Sequence, residues 1–114
     1  MARYRITVRN GPKVSRERVA DLDAAMAEIE RRGRELEQGA AARPVGGTLV
    51  RRFEPVQQVV GRIELAGPGR LRAGVDVRGD GSSEAFTGRL RRALVTQREG
   101  ESPYDALRRE LAGT

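Results

Sequence analysis

At 114 residues the chain has room for one domain and one modest core. Hydrophobic residues make up 38% and charged residues 33%, and the only aromatics are Tyr4, Phe53, Phe86 and Tyr104, so the core must rest on Val, Leu, Ile and Ala. The formal net charge is +6, and the absence of histidine and cysteine excludes imidazole catalysis, disulfides, thiol chemistry and Cys/His zinc sites.

Residues 3 to 9 alternate strictly: Tyr4, Ile6 and Val8 face one way, Arg3, Arg5, Thr7 and Arg9 the other. This predicts a half-buried strand with a cationic outer face. Asn10-Gly11-Pro12 supplies a turn, though Pro12 argues against a type I′ hairpin. Residues 13 to 20 read two ways. They return as a second strand, or Ser15 caps a long helix, because Val19, Leu22, Met26, Ile29, Gly33 and Leu36 repeat at helical spacing. The strand is favoured, with a helix from about Asp21, capped by Asp21 or Asp23, to Gln38 and a stop at Gly39.

Residues 39 to 47, with Pro44 and a Gly pair, read as an internal linker. Strands are then predicted at Thr48 to Phe53 and Val56 to Leu65, with Pro55 marking a bend, and at Leu71 to Val77 after the Gly67-Pro68-Gly69 turn. Gly79-Asp80-Gly81-Ser82-Ser83 is a hairpin turn. Residues 84 to 95 again split: Phe86, Leu90 and Leu94 are helically spaced, while Phe86, Gly88 and Leu90 alternate, and a strand through Leu94 is preferred. Ser102 caps a final helix, Pro103 to Leu111, with Tyr104, Leu107 and Leu111 as its stripe. The order ββαββββα predicts one α+β domain over residues 1–114. Its sheet is mainly antiparallel, with the long helix packed on it and a short C-terminal helix.

Charge is uneven: residues 1 to 19 carry six basic side chains against Glu17, whereas Asp21 to Gln38 holds six acids against three arginines. A basic sheet face opposite an acidic helix follows. Of the 22 basic residues Lys13 alone is lysine, leaving 21 arginines. A GC-rich, bacterial-type genome produces that bias, and so does a surface built for phosphate.

Tyr4-Arg5-Ile6-Thr7-Val8-Arg9 through Asp21-Leu22-Asp23-Ala24-Ala25 resembles the arm-type DNA-binding domain of tyrosine recombinases. There a basic hairpin, Y-x-x-x-V-like, leads into a helix with an acidic cap. The resemblance covers about the first third of the chain and implies DNA binding by the hairpin. That family places a third strand before its helix, and none is evident here.

The candidate phosphate-contacting residues are Arg3, Arg5, Arg9, Lys13, Arg16 and Arg18, extended by Arg89, Arg91 and Arg92. With few aromatics to stack on bases, binding should be to backbone and weakly specific. Asp76, Asp80 and Glu84 lack the spacing of a calcium loop and are expected to bond the turn's own backbone. Arg78-Gly79-Asp80 matches an adhesion tripeptide by chance in so Arg- and Gly-rich a chain. No glycine-rich phosphate loop occurs, and a carboxylate pair such as Glu54 with Glu64 has nothing to place it in a pocket.

The expectation is a non-catalytic binding module without cofactor or metal, with an arginine-rich sheet face and an accessory nucleic-acid role. The alternative is a protein-interaction or homodimerising module that meets an acidic surface. With no apolar run after Met1 and none near the roughly 20 residues of a membrane span, no membrane role and a cytoplasmic location are expected.

Overall fold

The computed structural model describes residues 3–42, 58–88 and 91–113. Strand β1 (Tyr4–Asn10) pairs antiparallel with β2 (Lys13–Val19), Asn10 opposite Lys13, so only Gly11 and Pro12 form the loop. Gly11 has φ +60°. The proline ring holds the second loop residue at negative φ, which leaves the type II′ combination and rules out type I′. Residues 13–19 are therefore strand, not the first turns of a helix.

Helix α1 (Leu22–Ala42) opens on Asp21, whose carboxylate accepts the Ala24 N–H at 2.8 Å. It runs past the expected stop at Gly39. Gly39 is not among the glycines with positive φ. Ala40, 5% exposed, extends the buried stripe of Met26, Ile29 and Gly33 by another turn, and alanine is the best helix former. The expected linker at 39–47 is thus helix as far as residue 42, and its remainder lies outside the described residues. The strand expected at Thr48 to Phe53, and the start of the one at Val56, also lie outside them.

The chain then folds as a meander of β3 (Val59–Ala66), β4 (Arg72–Arg78), β5 (Ser83–Thr87) and β6 (Ala93–Leu94), followed by α2 (Pro103–Ala112). The sheet order is β2-β1-β3-β4-β5-β6, every neighbour antiparallel. The strand expected from 84 to 94 is two strands. Gly88, at φ +91°, turns the chain between them, and a Cβ there would lie 2.5 Å from the Arg91 carbonyl oxygen. The third strand to join the β1–β2 pair, β3, follows α1 in sequence.

Both helices cover one face of the sheet. Ile6, Val8, Ile63, Leu65, Ala73, Val75 and Ala85 meet Ala25, Met26 and Ile29 of α1 and Tyr104, Leu107 and Leu111 of α2. Tyr104 fits because position 33 is glycine: a Cβ there would lie 2.1 Å from the phenol oxygen. That O–H donates to the Glu37 carboxylate at 2.5 Å, which also accepts Ser83 Oγ–H at 2.6 Å and Arg34 at 3.2 Å. Burial and the adjacent Glu37 push the Tyr104 pKa upward. Ser102 and Asp105 form a reciprocal capping box at the start of α2, with Pro103 at the first helical position.

The acids of the β4–β5 hairpin go separate ways. Asp80 accepts the Ser82 N–H at 2.9 Å, as expected of a turn acid, whereas Asp76 pairs with Arg62 and Glu84 with Arg78. Among the described residues no three such side chains converge as a metal site, and no helix is long and apolar enough to cross a membrane.

Candidate functional site

Among the described residues no helix covers the second sheet face. Register puts three rows of side chains on it. Arg18, Arg5, Ala66 and Arg72 form one row across β2, β1, β3 and β4. Arg16, Thr7, Glu64, Gly74, Phe86 and Leu94 form the next, running on to β6. Val14, Arg9, Arg62, Asp76 and Glu84 form the third.

Charge divides this face into two regions. In one, every arginine meets an acid: Arg9 Nε lies 2.8 Å from Glu64, Arg62 Nε 2.5 Å from Asp76 and Arg78 3.0 Å from Glu84. In the other, Arg3, Arg5, Arg16, Arg18 and Arg72 have no carboxylate partner among the described residues. Arg72 donates instead to the Leu71 carbonyl at 2.7 Å. Arg5 and Arg18 stand directly opposite each other on adjacent strands, with Arg16 on the neighbouring row. Like charges in that arrangement oppose folding.

Long arginines around short residues make this corner concave. One hollow of about 250 Å³ is lined by Arg5, Arg9, Arg16 and Arg72, together with Thr7, Glu64, Leu65 and Ala66. A second of about 200 Å³ lies between Arg3, Arg5, Arg18 and Arg72, with Tyr4, Ala66 and Gly67. Arg5, Arg72 and Ala66 are common to both, so the hollows adjoin. Among the described residues Glu64 is the one carboxylate lining them, and its two oxygens face Arg9 at 2.8 Å and Arg92 at 3.7 Å.

Farther along the middle row, Phe86 lies on this face and yet is 3% exposed. The position opposite it is Gly74, where a Cβ would come within 2.6 Å of the ring. The guanidinium of Arg92 is 4.6 Å and that of Arg62 5.9 Å from the ring centroid. A small hollow beside the ring is lined by Glu64, Arg72, Phe86 and Arg92, which joins the ring to the arginine corner.

The helix side differs in its electrostatics. Arg31 pairs with Glu28 and Glu35, Arg32 with Glu17 and Glu35, and Arg34 with Glu30 and Glu37. The Arg31 hydrogen bond holds the Glu28 carboxyl below its usual range, while hydrogen bonding to Glu28 raises that of Glu17. The four glutamates of α1 thus all meet arginines of the helix itself, although acids still outnumber arginines along it.

Of the residues singled out by sequence, Arg3, Arg5, Arg16 and Arg18 come together at the corner, and Arg9 and Arg92 stand beside it through Glu64. Lys13 alternates onto the helix side of β2 with Ser15 and Glu17, and exposed Arg91 lines none of these hollows. Arg89 and Glu54 lie outside the described residues. Arg72 completes the corner and sequence reasoning did not select it. Its signal was the alternation of Arg72, Gly74, Asp76 and Arg78 against Ala73, Val75 and Val77, which marks a second polar strand face.

The chain matches no family model, no curated protein and no solved structure.

Proposed function

We propose that this protein is a non-catalytic module that binds the phosphate backbone of nucleic acid through the corner formed by Arg3, Arg5, Arg16, Arg18 and Arg72. The observation that carries the reading is the Arg5–Arg18 cross-strand pair, set among three further arginines with no carboxylate partner among the described residues. A sheet that only needed solubility would intersperse acids there, as the other half of the same face does. Guanidinium forks from three strands line two adjoining hollows, which suits phosphate oxygens. A protein partner would need a buried apolar anchor at the centre of the contact, whereas arginines dominate the two hollows and the larger apolar side chains lining them, Leu65 and Tyr4, pack with the core. Electrostatic pairing between copies has a weaker motive, because Glu28, Glu30, Glu35 and Glu37 of α1 already meet Arg31, Arg32 and Arg34, and Asp23 meets Arg108.

The test is a salt titration of fluorescently labelled DNA and RNA. Five phosphate contacts predict a log–log slope of about −3.5 on single strands and about −4.5 on duplex. Replacing Arg5, Arg16 and Arg18 with Thr should flatten that slope by about 2 to 3. No binding even at about 50 mM salt, or full binding by the triple variant, would overturn the reading.

A further inference from the structure

We infer that Phe86, roofed by Arg92, is a base-stacking platform beside the arginine corner, so that the ligand is single-stranded nucleic acid. The inference rests on the phosphate-binding reading of that corner. Among the described residues Phe86 is the aromatic on the open face, since Tyr4 alternates onto the helix side and Tyr104 belongs to the core. It takes no part in the core cluster, so its burial comes from Gly74 beneath it and from arginine side chains above. Shielding the Gly74 backbone is a task for any large apolar side chain. An aromatic ring is singled out because two guanidinium groups lie over it, Arg92 at 4.6 Å and Arg62 at 5.9 Å.

The two arginines are held differently. Arg62 is fixed by Asp76 at 2.5 Å, whereas among the described residues the carboxylate that Arg92 meets is Glu64, at 3.7 Å, and Glu64 already binds Arg9 at 2.8 Å. A phosphate in the corner offers Arg92 a better partner through charge-assisted hydrogen bonds. When Arg92 turns to it, the ring face opens and an unpaired base takes its place. Arg72 and Glu64 line the corner hollow and the hollow beside Phe86 alike, so one strand can span both. Bases in a duplex are stacked on one another and unavailable to the ring.

The chain has no tryptophan, so Phe86→Trp places a unique fluorophore at the platform. Single-stranded oligothymidylate should quench it, while an abasic phosphodiester of equal length should bind without quenching. Phe86→Leu, checked for cooperative melting, should weaken oligothymidylate about tenfold and leave the abasic chain and a duplex unchanged, with Phe86→Trp retaining affinity. Equal binding of oligothymidylate and abasic chain without quenching, or tighter binding of duplex than single strand, would overturn the platform and leave the phosphate site standing. Failure of all three probes to bind at about 50 mM salt would remove both readings.

Discussion

Gly33 shows how a single missing Cβ sets the packing of this domain. Glycine in a helix interior ordinarily costs about 1 kcal/mol relative to alanine, so Gly33→Ala should by propensity alone stabilise α1. The structure predicts the opposite sign. An added Cβ would lie 2.1 Å from the Tyr104 oxygen and 2.6 Å from two ring carbons. The ring has nowhere to go, because Tyr104 is 1% exposed and its hydroxyl is bonded to Glu37. Overpacking of this kind costs about 1–3 kcal/mol, and chemical denaturation of Gly33→Ala should show a loss of that size. An unchanged or raised midpoint would mean that α2 does not seat its tyrosine against α1.

At the scale of elements, Gly39 is the matching control. Nothing lies within 4 Å of a Cβ built there, and its backbone is helical within α1. Gly39→Ala should therefore stabilise the protein by about 0.5–1 kcal/mol. Had Gly39 ended the helix in a left-handed conformation, as its sequence position suggests, the same substitution would destabilise, so the thermal shift reports where α1 ends. The example shows what could be read from the chain alone. Period-2 alternation exposed β1 and its cationic side, and local capping chemistry exposed both helix starts, because each signal lies within a few residues. The stop expected at Gly39 is absent because Gly39 does not take the positive φ of a left-handed cap, and the one-letter code does not record φ. The single strand expected from 84 to 94 failed at Gly88 for the converse reason, a positive φ where alternation suggested continuity. Which strands become neighbours was also hidden. Alternation tells which residues share a face, but β1 meets β3 only after the whole of α1 has intervened, so Arg72 could not be placed beside Arg5. The covering of Phe86 by Arg62 and Arg92 depends on that same order.

At the scale of the molecule the charge of the described residues is arranged asymmetrically. Among the described residues the helix layer keeps an excess of acids, one half of the open sheet face balances itself, and five arginines without a carboxylate partner gather at one corner. A surplus retained for a ligand should carry a cost in the free protein. Arg16→Thr with Arg18→Thr removes two of the crowded arginines and installs residues that favour strands, so stability at low salt should rise by about 0.2–1 kcal/mol. The gain should shrink as salt screens the repulsion over its Debye length of about 10 Å at 0.1 M. Arg62→Thr, only one row away, should behave oppositely. It leaves the half-buried Asp76 without its partner at 2.5 Å and uncovers Phe86, for a loss of about 1–3 kcal/mol. The pair of measurements separates two uses of the same residue type on one sheet face. If the Arg16/Arg18 variant loses stability as Arg62→Thr does, the corner arginines hold the sheet together through their own side-chain stems. Their charge would then be incidental to a ligand. A rise in stability together with loss of nucleic-acid binding is the result that only a binding site, kept at the expense of the free fold, produces.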